Sequence, residues 1–294
     1  MKKEISLGPK IAIYAVLILF CLLCVIPIIT VVSISFSSDM EIVKNGYGII
    51  PKGFTLDAYA FVFKDAAAIL RSYAVTIIVT VLGLALGLTL NAMIAYVLSR
   101  QDYKYNKQLT VFLIIPMVLS GGMVPSYIWI TRYLQLKNTI WVMILPLLIV
   151  PWFIVLLRTF FRQIPTSLIE AATVDGAGEL TIFARVILPL AKPALATVGM
   201  FITLNYWNDW FQPLMYIDQR ELYNLQYRLY IMMRDVQEMI RNSAVSGMGI
   251  SVADMPTESM RMAMCVVAAG PMLVVFPFFQ KYFVKGLTVG GVKG

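Results

Sequence analysis

Histidine is absent from this 294-residue sequence. That excludes imidazole metal ligands, a histidine proton shuttle and any Ser-His catalytic pair within the chain. Charge is sparse as well: 14% of the residues are charged, against about a quarter in a soluble domain. There is no GxxxxGK[ST] loop to cradle a nucleotide phosphate. Cysteine is limited to Cys21, Cys24 and Cys265. The Cys21-Leu-Leu-Cys24 string lies inside an apolar run, which disfavours the thiolate a redox pair needs, so these cysteines read as small packing residues. No metal site is expected.

The composition is 60% hydrophobic, with a mean hydropathy of +0.79. The apolar residues are gathered into long runs, the mark of an integral membrane protein. The net charge of +8 comes from basic residues at the ends of those runs. It therefore reads as membrane orientation, and no nucleic-acid partner is expected. Six spans are legible, at about 11–34, 72–98, 109–130, 139–157, 186–211 and 260–279. The first is too long for a signal-peptide core. The short basic loop with Arg100, Lys104 and Lys107 reads as cytoplasmic, which puts both termini (1–10 and 285–294) on that side. Residues 11–284 form one transmembrane domain, with a long polar external loop over 218–257.

Several features inside the spans read in two ways. Gly83-Leu-Ala-Leu-Gly87 permits close helix approach. Asn91 suits packing across helices or a water-filled path. Pro116 and Ser120-Gly-Gly-Met-Val-Pro125 predict a kinked third span, a packing feature or a pathway lining. Trp207-Asn208-Asp209-Trp210 combines aromatic faces with hydrogen-bonding groups, which suits a saccharide. Tryptophan equally anchors membrane interfaces. Asn91 and Trp207 to Trp210 are the candidate substrate path.

The chain is organised around Glu170–Pro193, EAATVDGAGELTIFARVILPLAKP. Gly176 can take the left-handed backbone that ends a helix. Glu179, Leu180, Phe183 and Ile187 then predict a second short helix. Glu170, Ala171, Ala172, Gly176, Ile187, Leu188 and Pro189 fall in the register of the EAA signature, and the stretch resembles that of ABC importer permeases. The tail Gln280 to Gly294, with Phe54 to Tyr59, Ala95 to Arg100 and Trp207-Asn208, is similar to the smaller permease subunit of the maltose-transporter, carbohydrate-uptake family.

That resemblance implies an all-α integral membrane protein with six transmembrane helices, the type I ABC importer permease fold, and a cytoplasmic coupling helix in the loop 163–185. It implies a non-catalytic subunit that moves a sugar or oligosaccharide by alternating access. It also implies four kinds of partner: two ATP-binding cassette ATPase subunits, a second homologous permease, an extracellular solute-binding protein and membrane lipid. ATP and Mg would sit on the ATPases, and this chain would hold no cofactor. The coupling residues implied are Glu170, Ala171, Ala172, Asp175, Gly176, Ala177, Ile187 and Pro189. Gly290, Gly291, Lys293 and Gly294 would be a tail contact with the ATPases. The location implied is a bacterial plasma membrane. A permease for a non-sugar solute is the alternative. A secondary transporter fits less well, because almost no ionisable group lies within the spans.

Overall fold

In the computed structural model, residues 7–119, 121–246 and 257–290 are described. Among them the chain is helical, with one isolated antiparallel bridge between Ser37 and Phe54 and no strand. The helices are α1 (Leu7–Ser35), α2 (Asp39–Asn45), α3 (Asp57–Val62), α4 (Ala66–Ser99), α5 (Asn106–Val118), α6 (Met123–Ile128), α7 (Trp141–Ile144), α8 (Pro151–Phe161), α9 (Thr166–Val174), α10 (Glu179–Ile182), α11 (Leu188–Leu190), α12 (Lys192–Trp207), α13 (Phe211–Tyr216), α14 (Leu225–Ser246) and α15 (Glu258–Gly290). Gly8–Ser35, Ala66–Ser99 and Glu258–Lys281 are long and apolar enough to cross a membrane. Three bent helix pairs would bring the crossings to six if each is one span.

The chain divides into two compact units. The first holds Met1–Ala67 and Ile231–Pro271. Within it α1 is exposed from Gly8 to Ile29, Cys21 and Cys24 included. The start of α15 is capped from a distance. Asp39 Oδ1 accepts the backbone N–H groups of Glu258 (2.9 Å) and Ser259 (3.2 Å), and Ser259 Oγ donates to Asp39 Oδ2 at 2.5 Å. A carboxylate there satisfies orphan donors and complements the helix dipole.

The second unit holds Ala68–Tyr230 and Met272–Gly294, and its core runs from Val75 to Ile217. Helix α4 lies against α12 and the α7–α8 segment through the two glycines of its GxxxG string. A Cβ on Gly83 would fall 2.3 Å from the Tyr206 ring, and one on Gly87 would fall 3.3 Å from the Leu148 carbonyl. The string is used for packing within the chain.

The fourth apolar run is broken rather than continuous: Trp141–Leu147 and Pro151–Phe161 meet at 51°. Pro151 pushes Val150 into an extended conformation (φ −115°, ψ 109°), as the residue before proline prefers. The backbone groups freed by the break are paired by neighbours. Asn91 Nδ2 donates to Leu148 O (2.8 Å) and Gly87 O (2.6 Å), Val150 N donates to Asn91 Oδ1 (3.1 Å), and the Tyr206 hydroxyl donates to Ile144 O (2.9 Å).

The fifth run bends by 85° between Glu179–Leu190 and Lys192–Trp207. Pro193 has no N–H to return to the Pro189 carbonyl, so the helix cannot pass through unbroken. Helix α14 occupies much of the stretch expected as a polar loop at 218–257, and α15 carries helical backbone on to Gly290.

Candidate coupling site

Helix α9 follows Pro165, whose fixed φ suits a helix entry, and ends at Asp175. Three backbone bonds close the turn: Asp175 N to Ala171 O (3.0 Å), Gly176 N to Thr173 O (3.0 Å) and Ala177 N to Ala172 O (2.9 Å). Gly176 takes φ +79°, the left-handed conformation that glycine adopts without a Cβ penalty. The resulting knob has two sides. Ala172 and Ala177 are half-buried against the core, and Ile182, Phe183 and Ile187 are buried in it. Glu170, Ala171, Asp175, Gly176 and Pro189 are exposed.

Two exposed residues on this turn are not among the coupling residues expected from the sequence. Val174 is 88% and Leu180 72% exposed. Their signal was apolar character inside a loop whose neighbours are polar. The spacing puts Leu180 in one helical repeat with Glu179, Phe183 and Ile187. Instead Phe183 and Ile187 are buried and Leu180 is exposed, and a π-helical turn runs over Phe183–Ile187.

The second short helix is tied to the end of α4. The Tyr96 hydroxyl donates to Glu179 Oε2 at 2.5 Å, and Arg100 Nη2 lies 3.3 Å from Glu179 Oε1. Arg100 also grips Asp102 through Nε (3.0 Å) and Nη2 (2.8 Å). That hydrogen bonding holds the Asp102 carboxyl below the ordinary carboxylate range and raises the arginine's pKa. Between α9 and the residues after α4 opens a groove of ≈ 610 Å³, with Arg100, Asp102, Arg162, Thr166, Glu170 and Thr173 among its lining.

The candidate path residues fall in two places. Asn91 is fully buried and spends its amide on the break in the fourth run, as above. Trp207 to Trp210 gather at the turn from α12 to α13. Asp209 Oδ1 accepts the N–H groups of Phe211 and Gln212, each at 3.1 Å, capping α13. Asp209 Oδ2 and Gln212 Oε1 are buried without a hydrogen-bond partner among the described residues. Asn208 accepts from Gln226 at 3.3 Å, and the half-exposed Trp210 stacks on Tyr230 with centroids 5.1 Å apart. Trp207 itself is 5% exposed. Of the tail residues, Gly290 ends α15, while Gly291, Lys293 and Gly294 lie outside the described residues. Among the described residues no cluster of metal-ligating side chains occurs.

Residues 108–289 match the model of the family described as binding-protein-dependent transport system inner membrane component. A polygalacturonan/rhamnogalacturonan transport system permease protein of Bacillus subtilis (strain 168) is 37% identical over 286 residues, covering 96% of this chain and 97% of the relative. An arabinooligosaccharides transport system permease protein of the same organism is 30% identical, covering 97% and 96%. Among solved structures, a bacterial ABC transporter involved in the import of the acidic polysaccharide alginate contains a similar chain. It has a TM-score of 0.77 and 29% identity, and the match covers 96% of this chain and 100% of that one. A match over most of the chain, a shared fold and two full-length relatives agree: the chain belongs to the family of binding-protein-dependent transport system inner membrane components, the non-catalytic permease subunits of bacterial ABC importers.

Proposed function

We propose that this chain is a six-span permease subunit of an ATP-driven importer, and that its cargo is an oligosaccharide delivered by an extracellular solute-binding protein. The observation that carries the reading is the Gly176 turn, which is rooted in the core by Ile182, Phe183 and Ile187 and capped by exposed apolar and acidic side chains. A membrane subunit that hydrolyses nothing itself needs such a part to receive force. Six spans, both termini in the cytoplasm and a bacterial plasma membrane put that knob on the ATPase side. The family works with ATPases, a second permease and a binding protein; here two ATPase subunits would carry the ATP and Mg, and the sister permease would be homologous.

In this reading Glu170, Ala171, Asp175 and Gly176 face a groove of the ATPase, with Val174 and Leu180 as its apolar anchors. Burying two such side chains is worth roughly 1.5–3 kcal/mol each. Ala172, Ala177 and Ile187 hold the turn on the core, and Pro189 and Pro193 set the bend towards α12. The last residues, from Gly290 through Gly291, Lys293 and Gly294, are a second ATPase contact. The 16 residues of α12 span ~24 Å at 1.5 Å each, short of a ~30 Å hydrocarbon core. On this reading the fifth crossing is α12 together with the residues that flank it.

Oligosaccharide cargo is supported by the relatives' transport systems and by the chemistry of the α12–α13 turn. In this reading an opening of the turn uncovers the buried acceptors of Asp209 and Gln212 for a hydroxyl group, and the half-exposed Trp210 offers a ring edge. We place Asn91 behind that path, as a bracket for the fourth run. The test is uptake of labelled oligogalacturonides and arabinooligosaccharides by a deletion strain, with and without the restored gene. Restored uptake of a saccharide is expected, together with co-purification of an ATPase in mild detergent. Unchanged saccharide uptake in the deletion strain refutes the cargo class, and Glu170→Lys with normal ATPase association and transport refutes the coupling role.

A further inference from the structure

The C-terminal end of α4 is held by side chains from two neighbouring helices of the same unit. Arg158 of α8 donates Nε to Leu98 O at 2.9 Å and Nη2 to Asn106 Oδ1 at 3.1 Å. Asn106, at the start of α5, donates Nδ2 to Leu98 O at 2.9 Å and Arg100 O at 2.7 Å. Helix ends leave such carbonyls without partners, and here they are fixed by side chains. From this anchored end, Tyr96 and Arg100 both reach Glu179, as described above. The Tyr96 ring is also packed on Phe183, with centroids 5.3 Å apart.

Glu179 differs from the other acids of the turn. Among the described residues neither Glu170 nor Asp175 forms an ion pair, whereas Glu179 is engaged twice within its own chain. The two engagements are unequal. The Glu179 side chain is 62% exposed, so its pairing with Arg100 is screened by water and contributes little. Tyr96 is 7% exposed, and its hydroxyl donates to a charged acceptor, which is the stronger kind of hydrogen bond. The other route from the Gly176 turn into the spans runs along the backbone, through a π-helical turn and an 85° bend at Ala191. A chain path with two irregularities transmits displacement poorly; a side-chain link to an anchored helix end bypasses both.

We propose that Glu179 is a positioning residue for energy coupling. Through Tyr96, with Arg100 in support, it joins the Gly176 turn to the end of α4, so that a push on the turn displaces the second span directly. This rests on the coupling role argued under Proposed function. The test uses the full complex, with its ATPase, sister permease and binding protein, in proteoliposomes. Substrate moved per ATP hydrolysed is measured beside ATPase co-purification.

Tyr96→Phe and Glu179→Ala are each expected to lower that ratio by roughly threefold to tenfold, with co-purification unchanged. Glu179→Gln keeps an acceptor for the hydroxyl and should fall between. The double variant Tyr96→Phe/Glu179→Ala should do no worse than the worse single one, because both break one link. A merely structural role would lower yield and leave the ratio of the folded complex intact, and that result overturns the proposal. So does a double variant whose two effects multiply. Loss of ATPase co-purification in Glu179→Ala also overturns it, by making Glu179 a docking residue, and leaves the coupling role standing. Normal behaviour of Glu170→Lys removes the coupling role itself.

Discussion

Gly83→Ala should be among the most damaging methyl additions in the second unit. The added Cβ would sit 2.3, 2.4 and 2.6 Å from Cε2, Cζ and Cδ2 of Tyr206, where carbon atoms prefer roughly 3.5–4.0 Å. A displacement of about 1 Å is therefore required. The ring is 1% exposed and its hydroxyl is committed to Ile144 O. It can swing only by abandoning the carbonyl that the broken fourth run leaves open. Overpacking costs ~1–3 kcal/mol, and an unpaired buried carbonyl costs about as much again. The sum is ~2–6 kcal/mol. The assay is the thermal midpoint of the monodisperse purified complex, compared with two controls. Gly87→Ala, whose Cβ would approach Leu148 O at 3.3 Å, should cost less, and Gly270→Ala, with nothing within 4 Å, should cost nothing. Gly83→Ala/Tyr206→Leu should recover the clash component but not the hydrogen bond. A Gly83→Ala complex as stable as Gly270→Ala would refute the close α4–α12 packing on which the unit's core is argued.

Asn91→Ala leaves Leu148 O and Val150 N without partners at ~1–3 kcal/mol each, so it should lower the same thermal midpoint. Asn91→Asp keeps only the acceptor and should not restore it. Gly176→Ala meets no atom within 4 Å but must hold φ +79°, a penalty of ~1 kcal/mol; ATPase co-purification should weaken by severalfold rather than vanish. Asp39→Ala removes the acceptor for both capped N–H groups of α15. It should cost ~1 kcal/mol and speed proteolysis near Glu258, with Asp39→Asn retaining part of the protection.

The Gly176 turn was legible in the sequence because its signals are local. Glycine at 176 and the surrounding backbone bonds depend on a handful of consecutive residues, and the turn forms where they predict. Long apolar runs are equally local, which is why α1, α4 and α15 were legible. The bend of the third run, between Asn106–Val118 and Met123–Tyr133, falls where Pro116 and Ser120 to Pro125 predict it, whereas the breaks of the fourth and fifth runs were not legible. Proline 146, 151, 189 and 193 were visible, but whether each bends a helix depends on who pairs the freed backbone. For the fourth run that answer lies in Asn91 and Tyr206, far away in sequence. Asn91 read as ambiguous for the same reason, since an amide in a span looks alike whether it faces water or a carbonyl. The Glu179 link was invisible because 83 residues separate it from Tyr96. The π-helical turn over Phe183–Ile187 has no periodic signal of its own.

Where the chain leaves polar groups paired or unpaired separates its holding parts from its receiving parts. The break in the fourth run could have been a weak point in an apolar medium, where each open backbone group costs several kcal/mol. Instead α4 and α12 close it, so α4, α7, α8 and α12 are joined across the break by hydrogen bonds as well as by the Gly83–Tyr206 contact. The end of α4 is closed in the same way by Arg158 and Asn106. At the Gly176 turn, Val174 and Leu180 remain uncovered, and at the α12–α13 turn Asp209 and Gln212 keep unspent acceptors. On the proposed function the ATPase enters at the first place, and the saccharide at the second once its buried acceptors are uncovered. A force applied at the first is carried by a block whose own hydrogen bonds are satisfied. The free energy of the stroke then goes into moving that block, since little inside it can yield without exposing backbone to lipid.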